Sequence, residues 1–234
     1  MAAALSMTSA YAADKVVIYT NWFAEPEHGG VWQAKAAGIF EKYGIDADVR
    51  QGGPQVNTSL ILLGGKADFI LLHNSGELLN AVKEQTPLVA VASYFQKDPQ
   101  ILMTHKAQGH DSLGALKGAT FILSQDALNS FWPWLKAKYS YTDDQVRPYN
   151  FQLGAFLTNK NAVQQAYVTT ELDVARRAGF DPNVFLLADL GWNPYSALLV
   201  TRQDTQALPN ECCLRRRKCR LDQSYRMSCC AQVV

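Results

Sequence analysis

The sequence predicts an α/β protein folded as two lobes, and three observations carry that expectation. Strand-like and helix-like segments alternate from Lys15 onward with short connections between them. Glycine, asparagine and serine recur where a strand hands over to a helix. With 234 residues, 48% hydrophobic and 18% charged, the chain is long enough for two modest cores and has the composition of a folded body.

The first lobe is expected over residues 14–102. "KVVIYTNW" reads as a buried strand and "VWQAKAAGIFEKYG" as a helix closed by Gly44. "DADVRQGG" is a second strand, followed by "PQVNTSLILLGGK", a helix opened by Pro54 and closed by a glycine pair. "ADFILLHN", "SGELLNAVKEQ" and "LVAVASYF" continue as strand, helix and strand. This order implies a largely parallel sheet with helices on both faces.

The second lobe is expected over residues 103–205, the chain passing across near Gln100 to Lys106. "ATFILSQ" reads as a strand and "ALNSFWPWLKAKYS" as a helix entered near Asn129. "AYVTT" is a short strand between helical pieces, and "NVFLLADLGWNPYSALLVTR" gives two strands around a loop.

Both ends differ from this body. Residues 1–13 resemble the end of a secretory signal, since Ala10-Tyr11-Ala12 fits the small-x-small cleavage pattern ahead of Asp14 and Lys15. Export to the periplasm is expected. All five cysteines lie in residues 206–234, with six Lys and Arg against Glu211 and Asp222. That +4 leaves the body at −3, which argues against a nucleic-acid surface. The tail has no amphipathic period and no paired zinc spacing. Its abrupt arginine and cysteine content is that of a shifted reading frame, with a genuine basic tail as the alternative.

Ligands of open α/β sheets sit where strand ends meet helix N-termini. Three such junctions carry polar or glycine residues: Asn21, Trp22 and His28 after the first strand, Gly52 and Gly53 after the second, His73, Asn74 and Ser75 after the third. In the second lobe Gln125 is a candidate edge partner, with Trp192 and Tyr195 as ring faces. His28 could equally be a hydrogen-bonded turn residue, and Glu171 a helix-start carboxylate favoured by the dipole. No metal spacing, nucleophile elbow or phosphate loop occurs, so neither a metal nor a cofactor is expected, and no enzymatic role.

"NWFAEPEHGGVWQAKAAGIFEKYGIDADV", "GGPQVN", "LLGGKADF", "YVTTE" and "ADLGWNPYSALLVT" resemble solute-binding proteins of the thiamine-pyrimidine and related heteroaromatic transport group, over roughly residues 15 to 205. The resemblance implies a type II periplasmic-binding fold. It further implies a monomer that closes on a small heteroaromatic ligand, such as a thiamine pyrimidine precursor, and delivers it to an ABC permease. It places Glu171 where pyrimidine binders present a carboxylate to an exocyclic amine. The group also includes a fungal pyrimidine synthase whose cofactor-linked lysine and sacrificial histidine fall on Leu72 and Gly76 here. Neither residue can form a Schiff base or offer an imidazole.

Overall fold

The computed structural model describes residues 13–53 and 56–206. The signal-like segment and the cysteine-rich tail therefore lie outside the described residues, except for Ala13 and the start of the tail at Gln206.

In the first lobe β1 (Asp14–Tyr19), β2 (Ile45–Arg50), β3 (Phe69–Asn74) and β4 (Leu88–Phe95) alternate with α1 (Gly29–Ala36), α2 (Ile39–Lys42), α3 (Thr58–Leu63) and α4 (Ser75–Lys83). The second lobe holds β5 (Gln100–Thr104), β6 (Thr120–Leu123), β7 (Val146–Pro148), β8 (Ala162–Tyr167) and β9 (Asn183–Leu186). Its helices are α5 (Gln125–Asn129), α6 (Phe131–Tyr139), α7 (Gly154–Thr158) and α8 (Glu171–Arg177). The chain then returns to the first sheet as β10 (Ser196–Arg202) and ends its described course in α9 (Gln203–Gln206).

The two five-stranded sheets run β2-β1-β3-β10-β4 and β7-β6-β8-β5-β9. In each, four strands run the same way and one runs against them: β10 pairs antiparallel with β3 and β4, and β5 antiparallel with β8 and β9. A strand arriving from the opposite lobe enters from the cleft end, so it must run against its neighbours. The same fact moves the lobe division expected at residue 103. The first crossing lies between Phe95 and Gln100, and residues 196–202 belong to the first sheet.

Local chemistry explains the other departures. The helix expected over residues 31–44 breaks at Gly38, whose φ of 65° no helix accommodates. α3 starts at an asparagine cap, Asn57 Oδ1 accepting the Leu60 N–H at 3.0 Å. The strand expected around "AYVTT" instead occupies residues 162–167, and Thr169 and Thr170 form the turn into α8.

Sheet two buries alternate residues on its two faces. Leu102, Phe121, Leu123 and Val163 pack under α6 through Phe131, Trp132 and Leu135. Ile101, Met103, Ile122 and Ala166 pack under α7 and α8 through Phe156, Leu172 and Ala175. Sheet one carries its largest cluster, Leu62, Ile70, Leu72, Leu88, Leu198 and Val200, beneath α3 and α4.

Gly52 fixes the loop behind the cleft. Its N–H donates to Trp22 O at 3.1 Å, and a Cβ at this position would lie 2.3 Å from Thr20 O and 2.9 Å from Asn21 backbone atoms. Gly52→Ala should therefore force the β1 and β2 loops apart and lower stability by about 1–3 kcal/mol, read as a drop in the urea midpoint at unchanged m-value.

Candidate functional site

The carboxyl-terminal ends of β1 and β3 face those of β6 and β8 across a narrow cavity of about 50 Å³. Lobe one supplies Asn21, Trp22, Glu25, Glu27, His73 and Asn74. Asp98 and Gln100, at the first crossing, form its back. Lobe two supplies Ser124, Asp126, Gln165, Tyr167 and Glu171, with apolar wall from Ala127 and Phe131.

The lobes touch at three places around this space. Phe151, held at φ 66°, brings its ring within 4.4 Å of Trp22 and 5.6 Å of Phe23. Glu27 Oε2 accepts the hydroxyls of Thr169 and Thr170 at 3.1 and 3.0 Å. The imidazole of His73 stands between two carboxylates, Nδ1 at 3.1 Å from Glu77 of its own lobe and Nε2 at 3.3 Å from Asp126 of the other. Because each nitrogen faces a different carboxylate, a single metal ion could take only one of them. A proton on both nitrogens fits better.

Electrostatics agree with that geometry. Burial pulls against a charged His73, but the Glu77 charge and hydrogen bond, then Asp126 and Asp98, raise its pKa to about 9. Burial first, then the hydrogen bond and charge of Glu27 and the charge of Glu171, push Glu25 up to about 9. Burial likewise lifts Asp98 to about 6, the Gln100 amide and the Ser196 and Trp192 side chains holding it back. The Trp192 indole N–H still lacks an acceptor in hydrogen-bond geometry. Glu171 is raised by burial while it accepts from Tyr167 N–H at 2.7 Å and Tyr149 O–H at 3.0 Å.

Of the residues expected from sequence, Asn21, Trp22, His73, Asn74 and Glu171 line the cavity. The others do not. Both ring nitrogens of His28 are occupied locally, Nε2 by Asn21 Oδ1 at 3.0 Å and Nδ1 by the Glu25 N–H at 3.4 Å, so it orients Asn21 from behind. Gly52 and Gly53 shape the loop against Thr20 and Phe23. The Ser75 N–H donates to Tyr195 O at 2.8 Å, and the Tyr195 side chain is half exposed. Gln125 faces neighbouring grooves. Trp192 packs on Trp134 at 6.0 Å in the lobe-two core, and the lobe-two aromatics that do line the cavity are Phe131 and Tyr167.

Glu25, Glu27, Asp98, Gln100, Asp126, Tyr167 and Phe151 were not expected. "EPEH", with two carboxylates beside a glycine pair, was the one available signal among them. The rest become neighbours only through the crossings.

Residues 25–211 match the family described as NMT1/THI5 like. The chain belongs to this family. A formylaminopyrimidine-binding protein of Halalkalibacterium halodurans is 24% identical over 196 residues, spanning 81% of this chain and 58% of its own. A Haemophilus influenzae protein named for thiamine biosynthesis is 25% identical over 108 residues, 46% of this chain and 34% of its own. The chain thus covers less than two thirds of either relative's length. Among solved structures, a Bordetella bronchiseptica RB50 protein superposes with a TM-score of 0.67 at 16% identity, over 84% of this chain and 67% of its own. The periplasmic aliphatic sulphonate binding protein of Escherichia coli gives 0.60 at 15%, over 86% and 69%. At these identities the likeness shows the fold, a two-lobed α/β binding-protein architecture with the cleft between lobes.

A folded-state pKa raised above the unfolded one means that the folded chain holds the extra proton, so stability falls as pH rises through that window. For His73 the stabilisation is complete below about 6.5 and is lost as pH passes about 9. His73→Gln should flatten the decline in melting temperature between pH 7 and 9.5 relative to the parent chain. Glu25→Gln should flatten it from about pH 5 up to about 9. Parallel curves in both variants would show that neither group holds the proton.

Proposed function

We propose that this protein is the extracytoplasmic substrate-binding component of an ABC importer, taking a small heteroaromatic ligand, such as a pyrimidine precursor of thiamine, between its lobes for delivery to a membrane permease. One observation carries the reading: a cleft contributed by both lobes, in which Trp22, Phe131 and Tyr167 stand beside convergent polar groups. The family membership and the formylaminopyrimidine-binding relative support the ligand class. Among the described residues no helix is long and apolar enough to cross a membrane.

A flat ring lies against Trp22 on the lobe-one side and Tyr167 or Phe131 on the other, with Glu171 and Asn74 meeting its polar edge. Hinge motion about the two crossings admits it, and closure removes it from water. Catalysis has no support from the positions where the fungal enzyme carries its reactive groups. Leu72 is packed in the core, and the Gly76 N–H is used by the Asn74 cap at 2.9 Å.

Trp22→Ala and Glu171→Gln should each weaken ligand binding while leaving the fold intact, Glu171→Gln by about 1.5–3 kcal/mol as a charge-assisted hydrogen bond is lost. Native mass spectrometry of the purified protein identifies the copurified ligand, and calorimetry with that ligand measures the loss. Unchanged affinity in both variants would remove this cleft as the binding site.

A further inference from the structure

Among the described residues the cavity lining contains no lysine and no arginine. The one group there able to carry positive charge, His73, already faces Glu77 and Asp126. That leaves four carboxyl groups, Glu25, Glu27, Asp98 and Glu171, around the same space. Two of them are deeply buried, Asp98 at 3% and Glu27 at 7% exposure. Among the described residues none of the four is ion-paired with a lysine or arginine. The hydrogen bonds they accept come from neutral donors: Thr169 and Thr170 to Glu27, the Gln100 amide to Asp98, Tyr149 and the Tyr167 amide to Glu171. A buried carboxyl group without a cation either keeps a proton or awaits a positive partner.

We propose that the cleft binds its guest as a cation, a heteroaromatic ring bearing an amine or amidinium, whose positive group is met by Glu25, Glu27, Asp98 and Glu171. This rests on the reading of the cleft as a heteroaromatic site and adds the charge of the ligand. Sulphonates, carboxylates and phosphates are excluded by the same carboxyl groups, which would have to be desolvated against a like charge.

The proton has a definite place. Glu25 is faced by Glu27 of its own segment and by Tyr149 and Glu171 of lobe two, and its side chain accepts from the His28 backbone N–H. His73 and Tyr167 line the same cavity. Crowding by burial and carboxyl groups keeps Glu25 neutral up to about pH 9. A cation beside it stabilises the ionised form, so its proton passes to solvent as the guest enters. An anion would draw protons in, and a neutral guest would leave the count unchanged.

The test uses the full chain and three probes of one shape: a 4-aminopyrimidine carrying an aminomethyl, a hydroxymethyl or a carboxylate substituent. Calorimetry at pH 7 in buffers of different ionisation enthalpy reads both affinity and proton count. The aminomethyl probe should bind at least about 10-fold more tightly than the hydroxymethyl probe, with net proton release, and the carboxylate probe should not bind. Glu25→Gln should abolish the release, and Asp98→Asn should narrow the preference while keeping the release. Equal affinity for the charged and neutral probes, or no proton release in the parent chain, overturns the charge inference and leaves the heteroaromatic site standing. Failure of all three probes to bind overturns both.

Discussion

Everything at the cleft depends on the chain crossing between lobes twice and closing the first sheet with a strand that comes from the second. β10 is inserted between β3 and β4, so lobe one is completed only by residues that follow the whole of lobe two. Ser196, fully buried at the start of that strand, ties the junction together. Its hydroxyl donates to His73 O at 2.9 Å and meets the Tyr167 hydroxyl at 3.3 Å, while Ser93 Oγ donates to its carbonyl at 3.1 Å. Asp98 lies beside it on the other crossing. The pivot and the back wall of the cavity are thus the same few residues, which couples the angle between lobes to the shape offered to a ligand.

The fold and the cleft carry different information. A sulphonate binder and this chain share the architecture at a TM-score of 0.60, and 15% identity is too low to carry over a ligand. What distinguishes a site on this scaffold is the charge at the strand ends. Here the carboxyl groups of Glu25, Glu27, Asp98 and Glu171 surround a space that, among the described residues, has no lysine or arginine.

Much of the fold was legible because strand–helix alternation and turn residues are local signals. β1, β3, β4 and α4 fall where periodicity and turn residues put them. The reversed direction of β5 and β10 and the lobe to which residues 196–202 belong were not legible, since no local pattern says which sheet a buried strand joins. At the site, Asn21, Trp22, His73 and Asn74 were visible as polar or aromatic tips of strands. Trp192 and Tyr195 misled because aromatic type does not reveal which face a loop presents, and Trp192 answers to Trp134 instead. Asp98, Asp126 and Tyr167 acquire meaning only when distant segments meet.

Phe151 shows how the two halves divide the energy of meeting. A phenylalanine at φ 66° carries about 1–3 kcal/mol of backbone strain, and its ring rests on Trp22 and Phe23 of the opposite lobe. The aromatic contact and the strained peptide oppose one another, so shutting brings a smaller net gain than the ring contact alone would give. A receptor that must hand over its cargo benefits from such a balance, because a jaw that gripped too firmly when empty or full would neither admit nor surrender what it carries.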